Sequence, residues 1–133
     1  MIKNFKEFLF ESNDISESLQ TNIIKLQKAI NNKFICIIDY RGEVKGSIEN
    51  GIRYIEPYVL GTNAIGNTVI RAWMIKGVSR LGKINPDLVP GWRLYRVDRI
   101  FDIDQTLEYI TEPKEGYNPK DLKMSDIITS IKF

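Results

Sequence analysis

Four β-forming runs, Phe34–Tyr40, Gly51–Leu60, Thr68–Gly77 and Trp92–Ile103, follow one another with only turn chemistry between them. The connections are Arg41-Gly42-Glu43 with Gly46, then Gly61-Thr-Asn-Ala-Ile-Gly-Asn67, then Gly82 through Pro90-Gly91. Strands at such short spacing without intervening helices imply an antiparallel sheet, strongly bent or closed as a small barrel. Phe34-Ile-Cys-Ile-Ile38 is apolar for five consecutive residues, the pattern of a strand covered on both faces. Pro57 lacks a backbone donor, so its strand must lie at an edge or carry a bulge there.

One helix precedes this sheet. Leu19, Ile23, Leu26 and Ile30 recur at spacings of four, three and four, with Ser16 as its N-cap, so residues 16–31 form an amphipathic helix with one stripe against the sheet. The fold class is therefore α+β, mainly β. Residues 1–14 form a separate amphipathic segment in which Phe5, Phe8 and Leu9 share a helical face. Residues 15–110 form a single domain, with the strands over 34–104. Residues 111–133 hold a loop with Pro113, Gly116 and Pro119, then a short helix over Asp121–Ile131. At 133 residues and 43% hydrophobic the chain buries one sizeable core, hardly two.

Composition removes several functions. There is no histidine, and the one cysteine, Cys36, sits inside the apolar strand. Ser-His-Asp and Cys-His systems and the usual zinc sites are thus excluded, and no catalytic residue, metal or cofactor is assigned. Asp102 and Asp104 fall on one strand face where magnesium could bind, yet two acids after a strand end read more simply as a solvated edge. No apolar run approaches the ~20 residues that span a bilayer, and Glu7 interrupts what would be a signal peptide. A reducing, cytoplasmic setting without membrane association is expected.

The net charge of +2 is unevenly divided. Residues 41–99 carry seven arginines and three lysines against five acids, a net of +5, whereas residues 100–133 hold four lysines against seven acids, a net of −3. A basic centre between neutral and acidic flanks marks a localised anion-binding surface. Its densest part is Gly91-Trp-Arg-Leu-Tyr-Arg-Val-Asp-Arg-Ile100. Planar guanidinium forks fit phosphate or carboxylate, and interleaved aromatics offer faces for stacking, a combination suited to nucleotides or nucleic acid. Strand alternation puts Arg93, Tyr95, Val97 and Arg99 on one face, with Trp92, Leu94, Arg96 and Asp98 on the other. The Arg93 and Arg99 face is taken as the groove, Asp98 as the group that orients an arginine. The plainer reading of these arginines is a solvated strand.

The order of motifs resembles the WYL domain family. The likeness rests on Ile37-Ile-Asp-Tyr40, Arg53-Tyr-Ile-Glu-Pro-Tyr-Val-Leu60, Val69-Ile-Arg-Ala-Trp-Met-Ile75 and Trp92-Arg-Leu-Tyr-Arg-Val-Asp-Arg-Ile100, across residues 34–104. Where the family's naming tripeptide would stand, this chain has Ala72-Trp73-Met74. The resemblance implies an SH3/Sm-like barrel acting as a non-catalytic, ligand-sensing regulatory module, with single-stranded nucleic acid or a nucleotide bound on a basic, aromatic sheet face. By position it points to Tyr40, Arg53, Arg93 and Arg99, with Tyr95 on the same strand face, and Arg71 and Trp73 where the tripeptide departs. Family members commonly join the module to a DNA-binding domain, but this chain has no paired recognition helix. The alternative is a protein-interaction module that modulates a (host) partner complex, with the arginines at its rim. Phe5-Lys-Glu-Phe-Leu-Phe-Glu11 is similar to leaders of tailed-phage proteins, some trimmed after a Leu-x-Glu triplet that Leu9-Phe10-Glu11 fits.

Overall fold

In the computed structural model, residues 17–42, 50–79 and 81–133 are described. The amphipathic segment 1–14, the Ser16 cap, the Leu9-Phe10-Glu11 triplet and the turn residues Glu43 and Gly46 lie outside them. Helix α1 (Glu17–Asn32) forms where its apolar stripe requires, burying Ile23, Leu26, Ala29 and Ile30. It ends where Asn32 Nδ2 donates to the Lys28 carbonyl and Lys33 takes a left-handed conformation with φ of 59°. Buried Asn22 donates its side-chain amide to the Ile100 carbonyl at 2.8 Å, anchoring the helix to the sheet.

The sheet comprises β1 (Phe34–Tyr40), β2 (Gly51–Thr62), β3 (Thr68–Val78), β4 (Gly91–Arg96), β5 (Ile100–Tyr109) and β6 (Asp126–Ser130), all antiparallel. Its order is β4-β3-β2-β1-β5, with β6 also on β2, and the path is open. Of the bent sheet and the closed barrel expected from the strand spacing, the open sheet is found. Its ends are nevertheless consecutive in sequence. A one-turn 3-10 helix, Val97–Arg99, carries the chain from β4 to β5. The run Trp92–Ile103 is therefore two strands on opposite edges, not one. Arg41 N–H donates to the Arg99 carbonyl at 2.8 Å, and Arg96 N–H to the Tyr40 hydroxyl at 3.2 Å, so both ends lie against the end of β1.

Pro57 occupies the one stretch of β2 that can take it. On the side of β2 away from β3, β1 pairs only as far as Ile55 and β6 begins at Val59, so no strand requires the missing Pro57 donor. The register with β3 also shifts between Pro57 and Val59, a bulge.

The chain end differs from expectation. The apolar spacing of Leu122, Ile127, Ile128 and Ile131 predicts a helix over Asp121–Ile131, but Asp126–Ser130 is β6 and Leu122 is exposed. The β-branched run Ile127-Ile-Thr129 suits a strand, and β2 beyond Pro57 offers an open row of backbone partners that a helix would leave unmet. Among the described residues no helix is long and apolar enough to cross a membrane. Cys36 is fully buried, and burial pushes its thiol up to about 12.

Candidate anion-binding cleft

The end of β1, the start of β2 and the β3–β4 hairpin converge on a cleft of about 280 Å³ lined by Tyr40, Arg53, Met74, Leu88, Arg93, Leu94 and Tyr95. Arg53 is 4% exposed. Its guanidinium donates through Nη1 to the Ile52 carbonyl at 3.0 Å and through Nη2 to the Asn50 carbonyl at 3.3 Å. Two glycines make room for it. A Cβ on Gly51, whose φ is 131°, would lie 3.0 Å from Arg53 Nη1, and a Cβ on Gly77, the cross-strand partner of Arg53, would meet both Arg53 and Leu88. Arg93 reaches the same cleft from β4, donating to the carbonyls of Trp92 at 2.9 Å and Val89 at 2.6 Å.

The tyrosines stand against each other, with Tyr40 and Tyr95 ring centroids 4.9 Å apart in an edge-on arrangement. Burial pushes the Tyr95 hydroxyl up to about 12, against the opposing pull of Arg53 and Arg93, so it is a neutral donor at physiological pH. Burial lowers Arg53 from its ordinary value, Tyr95 acts in the other direction, and the like charge of Arg93 lowers it further. Two cations thus face one small space with apolar walls, and among the described residues no acidic side chain lines it. Such a space favours an anion that two forks can grip and a planar group that can lie along Tyr40 and Tyr95.

Of the residues singled out in the sequence, Tyr40, Arg53, Arg93 and Tyr95 are together in the cleft. Arg99, the last residue of the 3-10 turn, is not in its lining, because the period-2 alternation that joined it to Arg93 stops at Arg96. Arg71 and Trp73 alternate with Met74 along β3 and face the other way. Arg71 forms a two-pronged pair with Asp121, at 2.6 and 3.3 Å, and Trp73 packs edge-on against Trp92 at 5.5 Å. Trp92 donates to the Glu115 carbonyl at 2.8 Å and also meets Tyr58, so this face holds the chain end. Asp98 orients Arg96, with contacts of 2.7 and 3.0 Å.

Asp102 and Asp104 are exposed on β5, and among the described residues no group of three or more acids or cysteines is placed to hold a metal ion. Sequence reasoning missed Leu88, which lies in a Pro-containing loop without periodicity. It also missed Gly77, which could have been found by running the β2–β3 hairpin register back from its turn.

Fold and cleft together define a small α+β sheet domain with a cationic, tyrosine-flanked cleft. No protein-family model matches the chain, and no curated protein does. Among solved structures it is similar to the proteasome accessory factor B/C (PafBC) of Arthrobacter aurescens, with a TM-score of 0.52 at 16% identity. The likeness covers 77% of this chain and 14% of that one, and it is a likeness of fold.

Proposed function

We propose that this chain is a non-catalytic regulatory module of WYL type that senses a negatively charged ligand, single-stranded nucleic acid or a nucleotide, through the Tyr40/Arg53/Arg93/Tyr95 cleft. The observation that carries the reading is the convergence of those four side chains, from three strands, on one space in which no acidic side chain stands among the described residues. The similarity to part of PafBC supports the small sheet fold on which this reading rests. The backbone carbonyls that fix Arg53 and Arg93 hold their forks in place before a ligand arrives, which lowers the ordering cost of binding.

The test is a titration of a fluorescent single-stranded oligonucleotide, with nucleotides as competitors, across a salt series. Wild type is compared with Arg93→Ala and with Arg96→Ala, whose side chain pairs with Asp98 outside the cleft. Binding should weaken as salt rises, by a log–log slope of about 0.7 per phosphate contacted. Arg93→Ala should lower affinity about tenfold or more, as expected for a lost charge-assisted pair, while Arg96→Ala stays near wild type. Folded wild-type protein that binds neither oligonucleotides nor nucleotides would overturn the proposal and favour a protein partner.

A further inference from the structure

The cleft does not stand alone. A second cavity of about 630 Å³ lies alongside it, and Arg53 is in the lining of both. Around the second cavity stand Arg41, Lys83, Asn50, Asn85 and Ser79, with aliphatic contacts from Val78 and Ile84, and among the described residues no acidic side chain lines it.

The two cavities differ in a way that matters chemically. The smaller holds both aromatic rings and, at about 280 Å³, lies just below the usual range of about 300–1,000 Å³ for small-molecule sites, room for one nucleotide unit. The larger has cationic and amide donors and, among the described residues, no aromatic ring in its lining. Its cations are held by local structure. Lys83 sits in a loop closed by Ser79 N–H to the Lys83 carbonyl at 2.8 Å, Lys83 N–H to Ser79 Oγ at 3.2 Å and Asn85 N–H to the Gly77 carbonyl at 2.9 Å. Among the described residues Lys83 makes no ion pair. Arg41 is steadied by Asp39 at 3.2 Å and by the ring of Phe101, 4.6 Å from its guanidinium carbon.

Resting on the proposed nucleic-acid reading of the cleft, we infer that the ligand is a phosphodiester-linked strand of at least two nucleotides. One base lies in the Tyr40/Tyr95 cleft, the linking phosphate sits at Arg53, and the next phosphate enters the Arg41/Lys83 cavity. A mononucleotide fills only the first cavity and leaves Lys83, at the second, without an anionic partner among the described residues. Linking two units makes engagement of the second cavity intramolecular, so affinity rises steeply with the first added nucleotide.

The test compares thymidine monophosphate with oligo-dT and oligo-U of two, four and eight residues, against wild type, Lys83→Ala and Arg93→Ala. Lys83 is exposed, so its replacement leaves the fold intact, which circular dichroism checks. Wild type should gain at least about tenfold in affinity from one nucleotide to two or four. Lys83→Ala should lose most of that gain and about 0.7 of the salt slope, while its affinity for the mononucleotide is unchanged. Arg93→Ala should weaken every ligand. Equal wild-type affinity for mononucleotide and oligonucleotides, or an unaltered gain and slope in Lys83→Ala, overturns this inference and leaves the proposed nucleotide site standing. No binding of any of these ligands by wild type overturns both.

Discussion

Removing one oxygen from Tyr58 should cost this fold more than most single changes. The ring is fully buried in β2, against Trp92 at 4.9 Å and Tyr117 at 5.1 Å. Its hydroxyl donates to Glu56 Oε1 at 2.8 Å and accepts the Lys114 N–H at 3.0 Å, joining the sheet to the chain end. Tyr58→Phe keeps the packing and deletes both bonds. A hydrogen bond to a charged group contributes about 1.5–3 kcal/mol and a neutral one about 0.5–1.5 kcal/mol. Part of this is recovered, because Lys114 Nζ still meets Glu56 Oε2 at 3.1 Å from a position 38% exposed, where water can reach it. The net loss should be about 2–3 kcal/mol. At about 2.1 cal/mol/K per residue, a chain of this length unfolds with an entropy of about 0.28 kcal/mol/K, so Tm should fall by about 7–11 °C. Differential scanning calorimetry measures it, with Tyr109→Phe, at a site 59% exposed, as the control that moves little. A Tm drop below about 2 °C in Tyr58→Phe would refute the claim that this hydroxyl fastens residues 111–117 to the sheet.

Two further outcomes follow from the same contacts. Gly77→Ala places a methyl against Leu88 and within 3.1 Å of Arg53 Nη1. Leu88 can swing aside, so stability in urea should fall by only about 1 kcal/mol while oligonucleotide affinity drops several-fold, and unchanged affinity would contradict the placement of Leu88 as a wall of the cleft. For Asp121, burial alone would raise the carboxyl, but the Arg71 side chain and the Lys123 N–H together hold it below its ordinary 3.8. A depressed folded value means the stabilisation is present above the unfolded value and is lost as pH falls through the folded one. Asp121→Asn should therefore be less stable than wild type at pH 7, by about 2 kcal/mol in urea unfolding, with the gap closing below pH 3.8. A gap that persists at pH 2 would place its origin elsewhere.

Much of this architecture is legible in local chemistry. The stripe of Ile23, Leu26 and Ile30 defines α1, and β-branched runs bounded by Gly and Asn define β1, β2 and β3 within one or two residues. Pro57 announces its own bulge. With no histidine and Cys36 in apolar surroundings, Ser-His-Asp and Cys-His systems cannot be assembled from this chain alone. The chain end was not legible. The last apolar run has helical spacing, and only the unpaired stretch of β2 makes it a strand.

The sequence by itself determined which groups are available: arginines and tyrosines concentrated in the middle of the chain, on short antiparallel strands, with an acidic end. Only the tertiary structure decided which of them meet. Residue alternation holds within a strand, so it linked Arg93 to Tyr95 correctly, but a single 3-10 turn at Val97–Arg99 moves Arg99 out of that phase. Tyr40, Arg53 and Arg93 share a cleft because β1, β2 and the β3–β4 hairpin end at the same corner of the sheet, and Arg71 does not because its strand face holds Asp121. Propensity and periodicity act over a few residues, whereas the cleft is built by contacts between residues 40, 53 and 93, whose separation in sequence no local rule spans.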